Sequence, residues 1–192
     1  NLNFSGGDAK NSYLFSVGYL NHAGLVDENK YKKYNFLLNF DSKLKSNLTL
    51  KVNLVGNSAI TDEPRQADGD MMRMIAFAVR QGPIFAGKKS DGTYGYQDNF
   101  SPEGWLASNS FVNRKNKFFQ GGVDLSWEVF KGFTLSQKVG YNYGNYTNTD
   151  FVASFTFDPF KTVGPNSLSV QSGDNSLVTL FSTAQYEKSI KD

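Results

Sequence analysis

Four aromatic side chains, Tyr94, Tyr96, Phe100 and Trp105, stand in one polar stretch, GKKSDGTYGYQDNFSPEGWLASNS, among Gly, Asp, Asn and Gln. Flat apolar rings beside hydrogen-bonding neighbours are a common way to grip sugars and protein partners, which makes this stretch the candidate binding site. The same rings would also serve simply to pin a long loop down, and the sequence leaves both uses open. Covalent chemistry has no comparable candidate. Cys is absent, which excludes a disulfide scaffold, a thiolate metal site and a Cys nucleophile, and the one His, His22, lies in a polar stretch with no second imidazole. Asp124 and Glu128 fall on one face of a strand about 13 Å apart, too far for the paired carboxylates of a glycosidase. Asp62-Glu63 and Asp68-Gly69-Asp70 lack the ligand series and closing Glu of a calcium loop. The Met71-Met72-x-Met74 run reads as packing, and the sequons at Asn3, Asn47 and Asn145 lie in or beside strands. The expectation is a protein that is no enzyme, with no metal and no cofactor.

The elements that must position the aromatic stretch are strands. In 118–143, Val123, Leu125, Trp127 and Val129 alternate with Asp124, Ser126 and Glu128, and after Lys131-Gly132 the alternation restarts with Phe133, Leu135, Val139 and Tyr141. Successive strand side chains point to opposite faces, so this is a hairpin with one apolar face and one charged face. The same period of two runs through Leu2 and Phe4, then Tyr13 to Tyr19, Tyr34 to Phe40 and Leu48 to Leu54. Alternation stops over 57–116, a connection far longer than a compact domain normally carries. Inside it, MMRMIAFAVRQ reads as a helix with Met71, Met74, Ile75 and Ala78 on one stripe, capped by Asp70 and stopped by Gly82-Pro83. Phe151 to Phe157 reads as a strand or an extension of one, 158–176 as loop, and a last strand begins at Leu177.

The connections alternate in length. Those at 6–11, 42–47 and 130–132 are short, and those at 21–33, 57–116 and 158–176 are long. In an antiparallel meander, alternate connections share one end of the sheet, so all long loops fall on one side, as they do in outer-membrane barrels. Strands of about 9 to 13 residues meet the tilted-strand requirement for crossing a bilayer. The fold expected is all-β: an antiparallel meander of six to eight long strands, part of a barrel, with one short helix in the long loop. Residues 1–192 form a single segment of it. Composition agrees, with 17 Phe, 10 Tyr and 18 Gly at a mean hydropathy of −0.44. With 20 basic against 18 acidic residues there is no pull toward nucleic acid. No apolar run is long enough for a transmembrane helix, and the opening NLNFSGG starts inside an alternating segment, as a piece of a larger protein would.

Ser5-Gly6-Gly7, Tyr13, Ser16, Gly18-Tyr19, Gly24, Tyr31-Lys32-Lys33-Tyr34-Asn35 and Asn39 follow one another at a recognisable spacing. With Gly82 to Ile84 and Asp91-Gly92-Thr93-Tyr94, they resemble the SusC/RagA-like group of TonB-dependent outer-membrane transporters. Lys33 stands where that group usually has Arg. The resemblance implies a bacterial outer-membrane importer of glycans or peptides. It also implies a SusD-like surface lipoprotein over the extracellular loops, the TonB system as driver, and outer-membrane lipid against the barrel. No plug domain is recognisable, so the TonB contact would lie elsewhere. A slice of barrel has two open strand edges and a bare apolar face, and is expected to close on itself or self-associate. The alternative is a soluble all-β module binding carbohydrate or protein through the long loop.

Overall fold

The computed structural model describes residues 1–66, 69, 71–85, 87–98 and 100–188. Seven strands form one antiparallel sheet in the order β1 (Leu2–Gly7), β2 (Asn11–Ala23), β3 (Lys30–Lys45), β4 (Leu48–Pro64), β5 (Phe111–Phe130), β6 (Phe133–Val152) and β9 (Ser167–Tyr186). A small hairpin, β7 (Phe155–Asp158) and β8 (Lys161–Val163), stands apart from it. Helices α1 (Met71–Arg80) and α2 (Pro102–Ala107) lie in the connection between β4 and β5. The meander is therefore as expected, with neighbours in sequence paired up to β6, which pairs with β9 past the β7–β8 hairpin.

Register turns the period-two patterns of separate strands into two continuous surfaces. One row runs Phe15, Leu38, Leu54, and the next runs Tyr13, Phe40, Val52, Val123, Val139, Leu180. On the opposite surface a row of alternating charge crosses four strands, Asp41 opposite Lys51, Lys51 opposite Asp124 and Asp124 opposite Lys138. Below it run the hydroxyls Thr49, Ser126, Ser136 and Thr183, with the Ser126 and Ser136 Oγ atoms 3.0 Å apart. Nothing in the described chain covers the apolar surface: Phe4 is 55% exposed, Trp127 46% and Leu180 66%. Tyr19 and Tyr34 form a ring pair at 4.9 Å on it, and Phe119 reaches both Phe36 and Tyr141. The rings of Tyr13, Phe36 and Tyr146 fold over their cross-strand partners Gly6, Gly56 and Gly173, so that aromatic area replaces missing side chains.

Several expected boundaries move. The long connection is 65–110 rather than 57–116, because β4 and β5 stay paired up to Pro64 opposite Phe111. Residues such as Ser58, Thr61, Asp62, Asn113, Arg114 and Lys115 are polar on both faces, so hydropathy stops alternating while the backbone ladder continues. β2 likewise runs through His22 to Ala23, leaving 24–29 as the connection, and β9 starts at Ser167 within a segment read as loop, although Leu168 and Val170 alternate there with Ser167, Ser169 and Gln171. Among the described residues there are two helices in the long connection, not one; α2 is a six-residue helix started by a cap rather than marked by periodicity. Of the stripe expected on α1 only Met74 is buried, with Ile75 37% exposed. The expected cap Asp70, with Asp68, lies outside the described residues. The sheet is open, with β1 and β9 as its edges, rather than closed on itself.

Candidate functional site

The long connection returns to the sheet through α2. Ser101 caps it, its Oγ accepting from the Gly104 N–H at 3.3 Å, and Pro102 occupies the first turn, where a missing N–H costs nothing. Ser108 closes the other end by donating its hydroxyl to the Trp105 carbonyl at 2.7 Å, and Asn109, at φ 61°, turns the chain into β5. The result is to hold Trp105 inward. Its ring meets Phe157 edge-on, with centroids 5.6 Å apart, and both residues are 1% exposed. Met74 of α1 completes this buried centre, with Tyr94, Tyr96, Leu106, Val152, Phe155 and Val163 packed around it.

Tyr94 and Tyr96 approach from the other side of the same centre. The Tyr94 N–H donates to the Phe157 carbonyl at 2.8 Å, laying this segment along β7. Its ring then sits 5.6 Å from Phe155, and that of Tyr96 5.9 Å from Phe157, with the Lys161 ammonium 5.9 Å over the Tyr96 ring. Upstream, the Thr93 hydroxyl and N–H both donate to Asp91 and hold its carboxyl below the usual carboxylate range. Phe100 is elsewhere. It stacks on Phe77 of α1 at 3.4 Å, with the Arg73 guanidinium 5.8 Å from both rings. Of the four aromatics singled out in the sequence, three therefore converge and the fourth anchors α1. Their partners Phe155 and Phe157 lay within an expected strand, with nothing local to show that this strand folds onto the loop.

Among the described residues, ion pairs of Arg65 with Asp150 at 2.9 Å and of Lys89 with Asp158 at 3.7 Å tie the assembly down. Asp150 and Val152 lie on the same surface of β6 as Lys138, so the loop core sits over the polar surface and not the apolar one. Asp62 accepts from Asn113 and Glu63 pairs with Arg114 at 2.6 Å, so these carboxylates serve strand pairing. Glu128 accepts from the Gly132 N–H at 3.2 Å in the β5–β6 turn, far along the strand from Asp124. The sequon amides of Asn3, Asn47 and Asn145 are likewise engaged, with Ser16, the Glu128 carbonyl and the Gly173 carbonyl.

No family model matches the sequence. The TonB-dependent receptor P39 of Formosa agariphila is 25% identical over 153 residues, covering 79% of this chain and 14% of that protein. Two solved structures, of the RagAB peptide importer in the "closed-closed" state and of the RagAB peptide transporter, superpose with TM-scores of 0.72 and 0.69. Each is 20% identical, and they cover 99% and 98% of this chain. The chain has the fold of part of the barrel of such a transporter. It spans 22% of each of the matched solved chains. In a SusC/RagA-like barrel the pattern of connections acquires meaning, since 65–110 and 153–166 are neighbouring long connections and pack together at one end. The turns at 8–10, 46–47 and 131–132 lie at the other.

Proposed function

We propose that this chain forms part of the wall of an outer-membrane importer, with its apolar surface against lipid and its polar surface lining the lumen. The observation that carries the reading is the register. The rows Phe15, Leu38, Leu54 and Tyr13, Phe40, Val52, Val123, Val139, Leu180 share one surface while Asp41, Lys51, Asp124 and Lys138 share the other, as in a tilted barrel wall between lipid and water. The packed connections then lie at the outer mouth and over the lumen. Cargo is of the glycan or peptide class, a SusD-like surface lipoprotein seats on the outer connections, and the TonB system supplies energy through parts of the transporter beyond this segment. The half-buried rims of Tyr94 and Tyr96 and the outer face of Phe100 are the candidate contacts for cargo or lipoprotein, while Trp105 holds them in place from behind. In isolation the segment self-associates through its apolar surface and the β1 and β9 edges.

The test is fractionation of cells expressing the whole transporter. The expected result is a heat-modifiable protein in the outer membrane that needs detergent to stay monodisperse and that brings down a lipoprotein on affinity purification. A monodisperse, detergent-independent protein in the soluble fraction would overturn the reading.

A further inference from the structure

The polar surface contains a window that none of the preceding assignments uses. Gly122 of β5 stands directly opposite Gly140 of β6, in a row that reads Asn39, Asn53, Gly122, Gly140, Thr179. Packing does not require glycine at either position. A Cβ at Gly122 would have no neighbour nearer than the Val139 carbonyl oxygen at 3.9 Å, and one at Gly140 would meet Thr179 at an ordinary 3.6 Å. The other glycines inside strands of this sheet would each place a Cβ 3.0 Å or less from an existing atom. Glycine inside a strand gives up packing and backbone entropy, and it is found where something approaches the sheet backbone closely.

The rim of the window carries four side-chain amides beside the aliphatic Leu37 and Val55. Gln120 and Asn142 face each other in the adjoining row, and Asn39 and Asn53 face each other in the same row. None of these four side-chain amides has a hydrogen-bond partner among the described residues, and Lys138 stands on the far side of Gly140 toward Phe181. With Leu37, Leu54, Val55, Thr179 and Phe181 they line a concavity of about 470 Å³. A side-chain amide is both donor and acceptor, so it can read alternating N–H and C=O groups without regard to side-chain identity. A glycan would call for aromatic platforms, and the window offers only Phe181 at its margin.

We propose that the Gly122–Gly140 window is a binding site for the main chain of an extended peptide passing along the lumen wall, halfway down the apolar band defined by Leu38, Leu54, Val123 and Val139. This rests on the reading of the chain as importer wall, and it narrows cargo at this site to peptide. Side chains at Gly122 and Gly140 would lift the main chain off the floor and cost the hydrogen bonds of the rim.

The experiment uses the whole transporter with its lipoprotein in outer-membrane vesicles, and a fluorescein-labelled tryptic digest of casein as probe. Gly122→Val/Gly140→Val is expected to lower peptide uptake about tenfold, the loss of a pair of hydrogen bonds, with heat-modifiability unchanged. A photo-crosslinker replacing Gln120 is expected to capture labelled peptide. Where the wild type imports the digest, unchanged uptake in the double variant, or capture only of another part of the transporter, overturns the proposal. A wild type that imports nothing from the digest overturns it as well, and only failure to reach the outer membrane overturns the importer-wall reading beneath it.

Discussion

Trp105 and Phe157 meet edge-on at 5.6 Å and 79°, although one belongs to the connection after β4 and the other to the hairpin after β6. Two outer connections thus share one buried centre, and neither is a free loop. Removing either ring leaves a void where a buried aromatic stood, which costs about 3–5 kcal/mol in a well-packed core. Trp105→Ala and Phe157→Ala are each expected to make 87–107 and 153–166 exchange amide hydrogens together and become protease-sensitive. The strands of the sheet should keep their protection. Exposure of only the connection that carries the substitution would show that the two do not share a centre.

Gly104 supplies an independent handle on the same contact. A Cβ there would lie 2.7 Å from the Phe157 ring and from Ser101 Oγ, within van der Waals contact of both the packing partner and the cap. Gly104→Val is therefore expected to loosen the loop core by about 1–3 kcal/mol, the range for overpacking, while leaving helix propensity slightly improved. Hydrogen exchange at Trp105 and Leu106 reads the outcome; unchanged protection would mean that α2 stands clear of β7.

How far the sequence carried the fold depended on what hydropathy can report. It marked every long strand within the apolar band, because there Leu38, Leu54, Val123 and Val139 alternate with Asn39, Asn53, Asp124 and Lys138. Beyond the band, Thr61 opposite Arg114 and Asp62 opposite Asn113 are polar on both faces, and the ladder that joins them leaves no trace in composition. At the site, the sequence marked Tyr94, Tyr96 and Trp105 by their contrast with polar neighbours. Their convergence depends on Phe155 and Phe157, which are near them only once β6 has returned to the same end of the sheet.

Arg65 and Asp150 form a pair through one contact at 2.9 Å, with side chains 24% and 35% exposed. Partly exposed ion pairs contribute little, so Asp150→Asn is expected to change loop stability by no more than about 1 kcal/mol. The difference should shrink further in high salt, where screening shortens the reach of charge. A larger effect in urea titrations followed by loop proteolysis would mean that the pair carries the loop, in place of the aromatic centre.

Acid should act on the loop through Asp91. Its carboxyl is held below the ordinary range, first by the Thr93 hydroxyl and then by the Thr93 N–H. A depressed folded pKa contributes stability above the unfolded pKa, and that contribution is lost as pH falls through the folded value. Loop protection is therefore expected to be flat from about pH 7 to about pH 5 and to decline only in stronger acid. Because Asp91 is fully exposed the effect is small, and Asp91→Asn should flatten that part of the profile. Loss of protection between about pH 7 and about pH 5 would assign the titration to another group.

Leu125 and Ser126 are adjacent in β5 and point to opposite surfaces, which makes them the sharpest pair for asking what each surface meets. Leu125 lies on the apolar surface between Val123 and Trp127 along β5, with Leu50 and Gln137 across from it, whereas Ser126 faces Ser136 among hydroxyls. Against lipid, an arginine near the bilayer midplane costs about 2–4 kcal/mol, and in a wet lumen it costs little beyond the hydrogen bond it displaces. Leu125→Arg in the whole transporter is thus expected to lower the urea midpoint of folding into phosphatidylcholine vesicles markedly, and Ser126→Arg to leave it nearly unchanged. If both surfaces met water, the two variants would differ by no more than ordinary surface substitutions do. If the surfaces were assigned the wrong way round, Ser126→Arg would be the costly one.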